Sequence, residues 1–429
     1  MALAIILGAG SMAQGQATPA GGTPEYNPGP TLPRIDGNFQ YSLFASQVAQ
    51  TGFSDGVTSS TNLGGSMEYL SKNATLPFSA LYSGGYLFTT QPGVGSSTFQ
   101  NASVSQGLVR GGWAMGVSDS VSYLPNAPAS GLTGVPGAGG IGLQPITGGT
   151  IPSQTVLTDY SRRVSNSVSG NIERNINRRT SISGNASYGI LRFLDNDGEN
   201  SDQITGMVSL NRRLDARNTL SANVVYQTYS FTGLYATQPN IETRGINVVY
   251  ERLWTRALTS AVSIGPQWIS GYTLTPLQLE QYPPGTNPVV PSRVDVAVNA
   301  SLSYTHRYTV SSLSYSRGIN NGSGVQAGAT ADTLTGQIFE SFGPNWSGAV
   351  SGVVANTTGL VGGSTSTQTF NFGVQVTRRI TRHISAYASD SIQHQSVGNL
   401  VGANAFHGTS NSAAIGISWA PRSSRLNPF

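Results

Sequence analysis

The chain has 429 residues, of which only 10% are charged, and its mean hydropathy is close to zero at -0.13. Soluble globular domains carry about a quarter charged residues, so the composition argues against an ordinary water-soluble fold. Glycine is abundant, with 53 residues, and Lys72 is the single lysine. The sequence contains no cysteine, which excludes disulfides and thiolate metal sites. Small polar residues and aromatics replace the usual helix formers, and this favours β structure.

The N-terminal segment has the pattern of a processing signal. Residues 1–10 form an apolar run that is too short to cross a bilayer as a helix, and small residues at cleavage-like spacing follow it. We predict a signal peptide at 1–17, shortened at its start because no basic residue precedes the apolar run. A Pro/Gly-rich linker is predicted at 18–36, a barrel at 37–420 and a short tail at 421–429.

Apolar and polar residues alternate along most of the chain from about residue 37. In 294–304 the even positions carry Val, Val, Val, Ala, Leu and Tyr, and the odd positions carry Asp, Ala, Asn, Ser and Ser. A period of two indicates strands, because successive side chains point to opposite faces. The polar face lacks the Lys/Glu mixture of water-exposed strands, and segments of about ten residues match tilted strands that cross a bilayer. The sequence therefore predicts an all-β fold, a transmembrane antiparallel up-and-down β-barrel.

The alternating segments predict about eighteen strands, with sixteen as the alternative. They lie near 37–48, 61–72, 77–88, 98–110, 113–123, 160–173, 179–192, 202–212, 218–229, 241–252, 258–269, 293–305, 308–317, 331–341, 346–356, 368–378, 383–394 and 409–420. An even count returns both chain ends to the periplasmic side, with short periplasmic turns and long extracellular loops. The long Gly/Pro-rich loop 124–158 would narrow or plug the lumen if it folded inward, and would be a surface feature otherwise.

A short arginine-rich motif recurs between the predicted strands at a spacing near forty residues, which equals two strands with their turn and loop. Its clearest copies are 173–181, 211–219, 251–259 and 377–385. The arginines either contact anionic lipid headgroups or simply keep the turns solvated, and the sequence leaves both interpretations open.

These turns resemble those of the β-barrel porin group of bacterial outer-membrane proteins, which includes barrels associated with exopolysaccharide systems. The matching positions are Arg212, Arg213, Leu214, Arg217, Thr219, Leu220, Ser221, Arg378, Arg379, Ile380, His383, Ile384 and Ser385. The resemblance covers about residues 160–420. It implies a barrel in the bacterial outer membrane and includes polysaccharide transport among the expected functions.

Residues on the polar faces of the predicted strands are the candidates for a pore lining. They are Asp295, Asn299, Gln227, Glu251, Gln375, Asn185 and Asn223. One acidic loop is a weak candidate for Ca²⁺, because oxygen ligands alternate there, although its glycine spacing departs from that of an EF-hand. Its candidate ligands are Asp195, Asp197, Glu199 and Asp202. Catalytic and phosphate-binding motifs are absent from the sequence, so we expect neither an enzyme nor a cofactor.

Three functions fit these features. The first is a passive diffusion porin for small hydrophilic solutes, predicted from the strand number and the polar lumen. The second is a polysaccharide export or uptake channel, which the resemblance implies and which inward aromatic tracks would favour. The third is a plugged barrel with a structural or adhesive role. Expected partners are outer-membrane lipid, lipopolysaccharide and the barrel assembly machinery, a homo-oligomer is left open, and no basic groove predicts nucleic acid.

Overall fold

The computed structural model describes residues 39–52, 56–71, 75–89, 96–124, 162–194, 200–232, 240–273, 289–290, 292–320, 328–360, 366–398 and 407–421. Its strands are β1 (Phe39–Thr51), β2 (Val57–Leu70), β3 (Phe78–Thr89), β4 (Ser97–Arg110), β5 (Trp113–Leu124), β6 (Arg163–Asn175), β7 (Thr180–Phe193), β8 (Asn200–Arg213), β9 (Asn218–Thr232), β10 (Ile241–Leu253), β11 (Leu258–Ile269), β12 (Tyr272–Thr273), β13 (Val289–Val290), β14 (Arg293–His306), β15 (Thr309–Asn320), β16 (Ala329–Ser341), β17 (Trp346–Gly359), β18 (Ser366–Arg379), β19 (Ile384–Val397) and β20 (Gly408–Trp419). The predicted signal peptide, linker and loop 124–158, like most of the tail, lie outside the described residues apart from Leu124, and they stay predictions.

Eighteen of these strands form one closed antiparallel barrel. Each long strand pairs with the next one along the chain, and β1 closes the barrel on β20 through rungs from Leu43–Trp419 to Thr51–Asn411. The two-residue strands β12 and β13 pair with each other outside this sheet. Closure leaves no unpaired strand edge, which is the requirement for a sheet in lipid. The predicted fold class and the count of eighteen strands are confirmed.

The second strand differs most from its predicted bounds, because it begins at Val57 rather than at 61. Segment 52–56, which joins β1 to β2, is shorter than the sequence led us to expect. Gly52 and Gly56 both have positive φ, at 97° and 108°, and such a backbone allows a tight reversal. Near this reversal the outward residues are polar, as at Gln47 and Thr61, which hydrogen-bond across the strand pair. Because both faces are polar there, the apolar–polar alternation that indicates a strand is absent from the sequence at this point.

Four-residue turns join several strand pairs at one end of the barrel, which we call the turn end; the opposite end is the loop end. In turn 176–179 the side chain of Asn177 accepts a hydrogen bond from the backbone N–H of Arg179 at 2.8 Å. Equivalent side-chain acceptors in the other turns are Asp215, Thr255 and Thr381. The recurring motif is therefore a side-chain-capped turn. In one copy, the backbone N–H of Arg217 and the side-chain amide of Asn218 hold the pKa of Asp215 below its usual range.

The two faces of the barrel wall differ in chemistry. On β18 the apolar side chains of Phe370 and Phe372 are exposed, whereas the alternate residues Thr369 and Asn371 are buried. The same alternation runs round the barrel, so large apolar side chains cover the outer face and small polar ones cover the inner face. A soluble barrel places its apolar side chains inside, so this arrangement is that of a barrel in lipid. The described residues contain no helix long and apolar enough to cross a membrane.

Arginine and aromatic side chains stack at the turn end. The four pairs are Arg174 over Trp113, Arg252 over Trp254, Arg307 over Tyr308 and Arg378 over Trp346, with guanidinium carbons 4.1–5.1 Å from the ring centroids. Aromatic rings prefer the membrane interface, and long cationic side chains reach from there to water or phosphate. These pairs therefore mark where the apolar outer face ends.

Candidate channel lumen

All seven predicted pore-lining residues lie on the polar face of their strands. Asn223 and Gln227 are buried on β9, whereas Asn185, Glu251, Asn299 and Gln375 are half-buried on other strands. Alternation puts these side chains on the inner face, because a strand in a closed sheet cannot rotate one residue without moving all of them. That they line a pore stays a prediction.

The seventh residue, Asp295, lies at the loop-end rim rather than in the middle of the wall. Pairing between β14 and β15 stops at the rung Val298–Arg317, and Asp295 lies beyond that rung. Its carboxylate is 3.6 Å from the guanidinium of Arg317, which also contacts Asp332 at 3.2 Å. Asp295 therefore belongs to an ion-pair cluster at the rim.

The inner wall is closed towards the loop end and accessible towards the turn end. On β18 the inward residues Thr367 and Asn371 are buried, whereas Gln375 and Thr377 are half-buried. On β10 the inward residues change in the same direction, from the buried Ile241 to the exposed Leu253. The inward side chains are therefore most accessible at the turn end.

An apolar cluster closes one sector of the loop end. Its members are Tyr229, Phe231, Ile241, Ile269, Ile319 and Leu360, all buried. The Tyr229 hydroxyl donates a hydrogen bond to the backbone carbonyl of Ile319 at 3.2 Å, although β10, β11 and β14 separate their strands in the sheet. At the loop end the wall therefore bends inward until the end of β15 lies against the inner face of β9. The sequence analysis missed this cluster. Its signal is that Tyr229 and Phe231 are apolar residues at positions where the strand pattern expects polar ones, next to a long connection.

Buried polar groups lie on the inner wall below this cluster. Asn247 Oδ1, Ser263 Oγ, Asn371 Nδ2 and Thr367 Oγ1 are buried and have no hydrogen-bond partner among the described residues. Such atoms are nearly always satisfied by protein or by ordered water, so these groups need water, a polar solute or a residue outside the described ranges as their partner. Such a set of unpaired amides and hydroxyls is atypical of a packed apolar core.

Three carboxylates face the lumen near the turn end. Glu68, Glu173 and Glu251 each stand third from the turn end of their strand. Their strands β2, β6 and β10 are four strands apart, which separates the carboxylates by roughly 19 Å along the wall at the usual strand spacing. They place negative charge on the lumen side of a turn end that also carries the inward arginines Arg213 and Arg379. The sequence analysis named only Glu251 of the three. Glu68 and Glu173 could have been identified because they lie at the same distance from the turn.

Inward aromatic rings lie flat on glycines of the wall. Phe44 covers its cross-strand partner Gly64, and Phe99 covers Gly85. The two rings meet with their centroids 6.2 Å apart. Both are nearly inaccessible, with 7% and 1% of their surface exposed, so they pack the wall and offer no stacking face to a sugar.

The candidate Ca²⁺ loop is only partly described. Asp195, Asp197 and Glu199 lie outside the described residues. Asp202 lies at the start of β8, where its carboxylate forms a 2.7 Å ion pair with Arg192. Within the described ranges no group of three His, Asp or Glu side chains is placed to hold a metal ion.

A closed antiparallel barrel with an apolar outer face, an aromatic edge and a polar inner face defines the chain as a transmembrane β-barrel, the class that bacteria place in their outer membrane. No protein-family model and no curated protein matches the sequence.

Several solved structures from Pseudomonas aeruginosa match the chain over most of its length. OpdQ has 8% sequence identity and a TM-score of 0.43, and the match covers 90% of this chain and 98% of that one. OccK2 (OpdF) in complex with glucuronate has 8% identity and a TM-score of 0.41, with 90% and 98% covered. OpdK with vanillate has 7% identity and a TM-score of 0.42, with 89% and 98% covered. The fold assignment rests on the strand pairing of this chain itself.

Proposed function

We propose that this barrel is a passive diffusion channel for small hydrophilic solutes in the bacterial outer membrane. The observation that carries the proposal is the polar inner face, where buried amides and hydroxyls such as those of Asn247 and Ser263 have no hydrogen-bond partner among the described residues and can be satisfied by water. A hydrated wall in a barrel of eighteen strands provides a path for polar solutes. Solutes enter or leave through the accessible turn end, which faces the periplasm.

The closed sector at the loop end limits the size of the solute. The apolar cluster around Tyr229 and Ile241 occupies the lumen on the side of β9–β11. A solute must therefore pass beside this cluster, through the part of the lumen that lies away from β9–β11. We infer a narrow, selective aperture rather than a wide general pore.

The two alternative functions have less support. A polysaccharide channel needs accessible aromatic faces for sugar stacking, and the inward rings of Phe44 and Phe99 are covered. A plugged structural barrel needs a segment that fills the lumen, and loop 124–158 lies outside the described residues apart from Leu124. Neither function is favoured by a described contact.

The test is single-channel recording of the refolded protein in planar lipid bilayers, with heat-modifiable migration on gels as the check of folding. We expect steady openings whose conductance rises in proportion to salt concentration, and liposomes that admit small sugars but exclude larger ones. A folded barrel that stays silent in the bilayer and impermeable in liposomes would overturn the proposal.

A further inference from the structure

A broad, open apolar groove crosses the outer wall from β4 to β9, with a volume of about 1000 Å³. Its sides include Leu108, Met115, Ile172, Val208 and Tyr226. At its centre the wall carries very small residues in neighbouring register: Gly170 pairs with Ala186, and Ala186 pairs with Gly206. A side chain added at Gly206 would meet no atom within 4 Å, so the groove is open space at this point.

A second outer groove, between β14 and β18, provides a contrast. It encloses about 300 Å³ and contains Gly336, where an added side chain would also find room. The first of these two grooves is thus about three times larger than the second. Lipid tails fill any roughness of a barrel wall, so the large groove needs a further feature to select an occupant.

That feature is a basic edge directly below the groove. Arg110, Arg174 and Arg212 point outward, each two residues closer to the turn end than an apolar residue of the same face. Arg174 is held over the ring of Trp113 at 4.9 Å. None of the three arginines forms an ion pair with a described residue. Their charge at the membrane interface therefore lacks a counterion within the described protein.

We propose that this groove and its basic edge bind one glycerophospholipid, with the acyl chains in the groove and the phosphate on Arg174 and Arg212. Guanidinium groups bind phosphate through paired, charge-assisted hydrogen bonds. Because the tails of neighbouring lipids are as apolar as the wall, retention of this lipid depends on the shape of the groove and on its phosphate. The site lies on the outer wall and goes beyond the proposed transport function.

Native mass spectrometry of the detergent-solubilised barrel, titrated with dioleoylphosphatidylglycerol, tests the groove. We expect Gly206→Leu, which fills the large groove, to lower the affinity for the first bound lipid at least tenfold. Gly336→Leu makes the same change in the small groove and is the matched control, for which we expect unchanged affinity. Equal affinity in both variants, with both barrels folded, would overturn the proposal.

The phosphate contact is tested with a second pair of variants. We expect Arg174→Gln with Arg212→Gln to weaken phosphatidylglycerol binding at least tenfold, and dioleoylglycerol, which lacks phosphate, to bind the unaltered barrel only weakly. The control is Arg378→Gln with Arg307→Gln, which removes two arginines that also stack on turn-end rings but lie away from the groove. If both double variants lost the same affinity for phosphatidylglycerol, the lipid would be attracted by the net charge of the barrel alone, and the proposed site would be contradicted. Gly206→Leu should leave single-channel conductance unchanged, which separates this proposal from the transport function.

Discussion

The loop-end and turn-end halves of the inner wall derive from the same strands but have different character. Towards the loop end the inward side chains are buried, and an apolar cluster draws β9 and β15 together. Towards the turn end the inward side chains are accessible, and the carboxylates of Glu68, Glu173 and Glu251 face the lumen. We therefore propose that the loop end selects solutes by size and that the turn-end carboxylates influence selection by charge. One alternating pattern can serve both purposes, because the residues at its inward positions change along the barrel axis.

The largest effect is expected from removing the apolar cluster. In a Tyr229→Ala and Ile241→Ala double variant, the side chains that meet the wall of β15 and β16 are lost. We expect the closed sector to open and single-channel conductance to rise severalfold, because the narrowest section of a pore dominates its resistance. Planar bilayer recording at constant salt gives the measurement.

Two controls accompany this change. Leu253→Ala removes an inward apolar side chain at the turn end and should leave conductance unaltered. Tyr229→Phe keeps the ring but removes the hydrogen bond to the Ile319 carbonyl, so we expect a smaller rise than in the double variant. If the double variant conducted no better than the unaltered barrel, the cluster would not limit passage.

A smaller effect is expected from neutralising the turn end. Glu68→Gln, Glu173→Gln and Glu251→Gln together remove these lumen carboxylates, so we expect the preference for cations over anions to fall. The reversal potential under a potassium chloride gradient measures this preference. Screening shortens the reach of charge at high salt, so the change should shrink as salt concentration rises.

The control for charge is Glu242→Gln. Glu242 points outward on β10 and pairs with Arg244 at 2.6 Å, so its loss changes net charge without touching the lumen. We expect no shift in reversal potential from this variant. If Glu242→Gln shifted the reversal potential as much as one lumen Glu→Gln variant does, ion selectivity would not depend on the position of the carboxylates in the lumen.

Much of the fold could be predicted from the sequence, because a strand that separates lipid from water must alternate residue by residue. The bounds of β11 are predicted to the residue, and those of most other strands to within three. The same periodicity placed the half-buried Asn185 and Gln375 on the inner face. The capped turns were visible as a repeat, because each needs an acceptor side chain such as Asp215 at one position.

The closed loop end and the outer groove could not be predicted in the same way. Contact between Tyr229 and Ile319 depends on how strands far apart in the sheet approach across the lumen, and alternation carries no information about that distance. The groove depends on Gly170, Ala186 and Gly206 falling into one register across three strands. This register is known only once the strand pairing is known. In the sequence alone, the individual glycines look like ordinary small residues.

The smallest effect, and the sharpest comparison of the two ends, comes from a pair of glycine substitutions. Gly328 at the loop end and Gly343 at the turn end both have positive φ, at 75° and 111°. Alanine strains either backbone and costs roughly 1–3 kcal/mol. At Gly328 the new methyl would also collide with Ile241 of the apolar cluster, whereas at Gly343 it would meet no atom within 4 Å. Overpacking adds roughly 1–3 kcal/mol, so Gly328→Ala should lower the free energy of unfolding by more than Gly343→Ala does. Urea unfolding in lipid vesicles measures both variants, and equal losses would mean that Ile241 does not pack against Gly328.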